Sequence, residues 1–99
     1  MISDVELSRA VNALGTTLRD QRPPRFDIER MQSIVDGSLG GERKLHVRHD
    51  GGDRGALVGA GGATLATVDR RDGVWVVRRD VDATGSGWAV PVAGTTDAR

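Results

Sequence analysis

The spacing of apolar residues changes near residue 43. Before that point they recur three and four apart; after it they alternate or cluster in short β-branched runs. Leu7, Val11, Leu14 and Leu18 are spaced four, three and four apart and fall on one helical face, which Ala10 widens. Ser3 and Glu6 stand at capping-box spacing, and Asp4 and Glu6 suit the positive end of a helix dipole. A helix is predicted from about Asp4 to Asp20. Gly15 lies inside it and costs about 1 kcal/mol relative to alanine. Pro23 and Pro24 end the helix, because the first restricts Arg22 and neither offers an amide donor. Asp27 is a candidate N-cap for a second helix, about Ile28 to Asp36. Ile28, Met31, Ile34 and Val35 form its apolar face. Phe26 stands where a hydrophobic staple would, and Gly37 where a C′ residue would.

Arg43 to Asp50 reads as a strand, with Leu45, Val47 and His49 pointing one way and Lys44, His46, Arg48 and Asp50 the other. Residues 51–55 form a turn or loop. A second strand starts at Ala56, is broken or bulged at Gly59, Gly61 and Gly62, and continues from Ala63 to Asp69. Arg71-Asp72-Gly73 is the sharpest hairpin signal in the chain. Gly73 can take positive φ without a Cβ clash, and Asp72 tolerates the left-handed region. Val74 to Arg79 is apolar on both faces and is predicted to be central. A Gly/Ser-rich connection, Asp82 to Gly87, leads to a last strand, Trp88 to Val92. Pro91 cannot donate to a ladder and puts that strand at an edge. The predicted class is α+β: two N-terminal helices packed on one face of a four-stranded antiparallel β-meander, in the order α-α-β-β-β-β. Residues 1–93 form the domain, and 94–99 are expected to be a disordered tail.

Composition narrows the functions available. The 99 residues have room for one core, and the 37% that are hydrophobic include only three aromatics, Phe26, Trp75 and Trp88. The absence of cysteine excludes disulfides, thiolate metal sites and a thiol nucleophile. No apolar run approaches the roughly 18 residues of a membrane span, and a signal-peptide pattern is lacking, so a cytoplasmic location is expected. Thirteen arginines against one lysine, with many Ala, Gly and Val, match the coding bias of a GC-rich genome. Net charge is zero but uneven: −2 over residues 1–42, +4 over 43–79 and −2 over 80–99.

The basic middle is the first candidate for a function. Arg70, Arg71, Arg78 and Arg79 lie at the ends of the hairpin, and Arg43, Lys44, Arg48 and Arg54 extend the basic area. Such a ribbon could lie along an anionic partner, since guanidinium forks suit phosphates. Against this, Asp69, Asp72 and Asp80 are interleaved with the arginines, and no aromatic stacking platform accompanies them. His46, His49, Asp50 and Asp53 form a metal-like cluster, but strand alternation sends the two histidines to opposite faces. Gly59 to Thr64 has the glycine spacing of part of a dinucleotide loop without the helix such a loop needs. No catalytic, cofactor-binding or metal-binding residue is assigned, and no cofactor is expected. The first reading is a non-enzymatic protein-interaction or accessory domain, self-associating as a homo-oligomer, with Trp88, Val90 and Val92 as interface candidates. A nucleic-acid-binding or regulatory protein using residues 43–79 comes second. A small enzyme or metal-dependent protein centred on His46 and His49 comes third.

Overall fold

The computed structural model describes residues 2–80. Helix α1 (Asp4–Gln21) starts at the predicted capping box. Ser3 Oγ accepts from the Glu6 N–H at 3.1 Å, and Glu6 Oε1 accepts from the Ser3 N–H at 3.0 Å. The helix buries Leu7, Ala10, Leu14 and Leu18, the expected stripe, and ends at Arg22 in the left-handed region. Helix α2 (Ile28–Ser38) is capped by Asp27, whose Oδ1 accepts from the Arg30 N–H at 3.1 Å. It runs past the expected stop at Gly37. The chain reverses instead at Gly40 and Gly41, with φ of 75° and 88°, and the Gly41 N–H donates to the Asp36 carbonyl at 2.8 Å.

Four antiparallel strands follow: β1 (His46–Gly51), β2 (Arg54–Val58), β3 (Thr64–Arg71) and β4 (Val74–Arg79), in the spatial order β1-β2-β3-β4. The order α-α-β-β-β-β and the antiparallel meander are as predicted. The hairpin between β3 and β4 turns on Asp72 and Gly73, both at positive φ, as a two-residue primed turn requires.

Two assignments need correction. The expected single strand across Gly59–Gly62 is two strands. The Gly62 N–H donates to the Gly59 carbonyl at 3.0 Å and the Gly59 N–H to the Ala63 carbonyl at 2.9 Å, which closes a turn with Gly62 at φ 89°. The irregularity in the ladder lies beside this turn, between Leu57 and Val58. Second, β4, expected to be central, borders the sheet among the described residues. Its two apolar faces have different causes. Trp75 and Val77 pack beneath the helices, whereas Val74 and Val76 lie on the face without helices, with Val74 49% exposed. The strand expected at Trp88–Val92, the connection before it and the expected tail lie outside the described residues.

The core lies between the helices and one sheet face. Leu45, Val47, Leu57, Ala66, Val68 and Trp75 meet Leu7, Leu14, Leu18, Met31 and Val35. Phe26 fills the gap over Gly55, where an added Cβ would sit 2.4 Å from Phe26 Cζ and 2.3 Å from the Arg48 carbonyl oxygen. No described helix is long and apolar enough to cross a membrane.

Candidate protein-binding edge

The two borders of the sheet end differently. On β1, the outer border meets Gln32 of α2. Gln32 Nε2 donates to the Leu45 carbonyl at 2.8 Å, and Gln32 Oε1 accepts from the Val47 N–H at 2.8 Å. A primary amide carries the same donor and acceptor as a peptide group, so Gln32 stands in for one residue of a further strand. The second Nε2 hydrogen goes to Asp36 Oδ1 at 2.9 Å, and Asp36 holds Arg43 at 3.2 Å. The Leu45 carbonyl and the Val47 N–H are therefore satisfied from within the fold.

On β4, the ladder with β3 continues to the Asp80 N–H, which donates to the Leu65 carbonyl at 2.9 Å. Antiparallel pairing alternates the direction of backbone groups. Val74, Val76 and Arg78 therefore turn theirs toward β3, and Trp75, Val77 and Arg79 turn theirs outward. No described residue lies alongside as a further strand. Next to this border runs a shallow groove of about 160 Å³, lined by Val11, Asn12, Gly15 and Arg19 of α1 and by residues 74–77 of β4. Gly15 faces Val77, and a Cβ there would meet Val77 Cβ at 3.8 Å, an ordinary contact.

Side chains hold β4 firmly. Trp75 Nε1 donates to the Pro23 carbonyl at 2.9 Å, and Trp75 meets the Phe26 ring edge-on with centroids 6.2 Å apart. The Arg70 guanidinium lies 5.3 Å over the Trp75 ring and reaches Asp53 at 2.7 Å. Arg79 binds Asp4 and, at 3.1 Å, Ser8 Oγ, tying the end of β4 to the start of α1. Among the described residues no group pairs with the outward backbone donors and acceptors of Trp75, Val77 and Arg79.

The arginines singled out from the sequence divide between the two faces. Arg70 and Arg79 turn to the helix side and are ion-paired. Arg48 and Arg71 lie on the helix-free face and bind Asp50 at 2.7 Å and Asp69 at 3.0 Å. The Arg48 hydrogen bond holds the Asp50 carboxyl below its ordinary range, with smaller help from the charges of His49 and Arg54. Arg54 and Arg78 form no ion pair within 4.0 Å among the described residues. The six do not share one surface free of aspartate. His46 and His49 lie on opposite faces of β1. The His49 ring stacks on Phe26 with centroids 4.4 Å apart, and its Nε2 lies 2.8 Å from the Gly52 carbonyl oxygen. Among the described residues no three His, Cys, Asp or Glu side chains are grouped to hold a metal. Trp88, Val90 and Val92 lie outside the described residues. Sequence reasoning missed Gln32, whose only signal is a polar residue four positions after Ile28, at the margin of the α2 apolar stripe.

Lys44 binds Glu6 and lies 3.5 Å from Glu42. The Lys44 hydrogen bond, then the Ser3 amide, pull the Glu6 carboxyl from its ordinary 4.5 down to about 2. The same contact raises the Lys44 ammonium. This pair joins the first turn of α1 to the residues leading into β1. No known protein family, curated protein or solved structure matches this chain.

Proposed function

We propose that this protein acts by binding protein, through addition of an extended strand to the border formed by β4. The observation that supports this most is the contrast between the two borders. Gln32 occupies the Val47 N–H of β1 and the Leu45 carbonyl just before it, while no described residue pairs with the outward groups of Trp75, Val77 and Arg79. Exposed strand borders pair readily with another chain, and proteins usually blunt the borders they do not use. Main-chain hydrogen bonds would supply affinity, and the groove beside α1 would select the incoming side chains. The nucleic-acid reading keeps Arg54 and Arg78 as support but loses the four arginines already paired with aspartates.

Amide hydrogen exchange by NMR on the dilute full chain tests the proposal. Open-border amides of Trp75 and Val77 should exchange at least about tenfold faster than the ladder amides of Val76 and Arg78, because protection follows hydrogen bonding. Equal protection at all four positions would mean that the border is already covered within one chain, and the proposal would fall.

A further inference from the structure

We infer that the strand added at β4 is the β4 strand of a second copy, antiparallel about a two-fold axis at Val76. This rests on the strand-addition reading above. Outward groups must meet outward groups, so only registers that oppose Trp75, Val77 or Arg79 to one another are available. Two of these have their two-fold axis in the middle of the strand. An axis at Val77 sets the two Arg78 side chains on diagonal neighbouring positions. It also opposes Trp75 to Arg79, whose guanidinium is already held by Asp4 and Ser8. An axis at Val76 avoids both conflicts. It opposes Val76 to Val76 of the second copy, Trp75 to Val77, and Val74 to Arg78. The two Arg78 side chains are then four residue pairs apart, roughly 13 Å along the strand.

The register about Val76 suits the chemistry of the strand. The central pair falls at a position without mutual hydrogen bonds, where the side chains stand closest, and both are β-branched valines on the helix-free face. On the other face, α1 runs antiparallel to β4: Ser8 lies beside Arg79 and Gly15 beside Val77. The two-fold axis therefore sets the two α1 helices side by side in opposite directions, with Gly15 near the crossing. The Gln32 caps make the assembly finite. Joining two β4 borders yields an eight-stranded sheet whose outer strands are both β1, each capped at its start by Gln32 of α2. A β1-to-β4 contact, which would repeat into a fibre, would have to displace the same glutamine.

The test is sedimentation equilibrium on the full chain and on Val76→Lys and Val76→Glu, with circular dichroism confirming that each is folded. Wild type should form dimers. Each variant alone should dissociate at least about tenfold more readily, because like charges would stand directly opposite each other. An equimolar mixture of the two variants should restore dimers, since lysine then faces glutamate. If Val76→Lys fails to fold, Val76→Glu alone must still weaken the dimer. A dimer unaffected by either charge overturns the inference. A monomeric wild type whose Trp75 and Val77 amides exchange fast overturns the second-copy inference while leaving the open border intact. A monomer in which those amides are protected overturns both readings.

Discussion

Among the described residues strands β1 and β4 both border the sheet and both lie against a helix, yet they differ in what that helix offers them. Helix α2 offers β1 a side-chain amide that bonds the Leu45 carbonyl and the Val47 N–H, with Asp36 and Arg43 beside it. Helix α1 offers β4 a glycine and the small groove that goes with it. The strands' own sequences reinforce this: β1 is His-Val-Arg-His-Asp-Gly, polar along its helix-free face, while β4 begins Val-Trp-Val-Val. Whether a border is closed or available therefore depends on one residue of the adjoining helix as much as on the strand.

The largest expected effect is at the residue that holds the open border in place. Trp75→Ala removes a fully buried ring and its bond to the Pro23 carbonyl, and should cost about 3–5 kcal/mol in denaturant unfolding. Gln32→Leu would abolish the contrast between the borders. It leaves the Leu45 carbonyl and Val47 N–H without their partner and should cost about 1–3 kcal/mol. If Gln32 limits assembly at β1, light scattering should detect larger assemblies in the variant than in wild type; an unchanged size distribution would mean that the glutamine does not limit assembly. Gly15→Ala is smaller and of opposite sign. The added methyl meets Val77 at ordinary contact distance, so the gain in helix propensity should raise stability by up to about 1 kcal/mol, read as a higher Tm.

The smallest expected effect depends on pH. Because the folded Glu6 carboxyl sits near 2 rather than 4.5, its contribution is complete above pH 4.5 and is lost as pH falls toward 2. Glu6→Gln should therefore flatten the fall of the unfolding midpoint over that interval while changing its shape little at neutral pH. An identical acid limb in the variant would show that the Lys44 contact contributes nothing there.

Much of the fold was legible because its signals are local. The Ser3–Glu6 capping box, the Leu7–Leu18 stripe and the Asp72-Gly73 turn each act within a few residues, and each appears where expected. Gly59–Gly62 was not decidable in the same way, since a bulge and a turn both use glycine at positive φ. The choice depends on how β2 and β3 register against each other. The central placement of Val74–Arg79 failed because an apolar residue does not specify what covers it. The helix side buries Trp75 and partly covers Val77, while the helix-free face leaves Val74 half exposed.

The candidate site was less legible than the fold. Interleaved aspartates correctly suggested partners for Arg71, but Arg70 binds Asp53, seventeen residues away, and Arg79 binds Asp4 at the other end of the chain. Gln32 resembles any polar helix residue until β1 is brought against it. The sequence by itself determined the helices, their caps, the sharp hairpin and the α-before-β order, because hydrogen bonds and periodic burial within one element depend on residues a few positions apart. Only the tertiary structure decided which strand borders are closed and which arginines are neutralised. A border is satisfied or open according to what lies beside it in space, and the groups beside β1 and β4 come from helices many residues earlier in the chain.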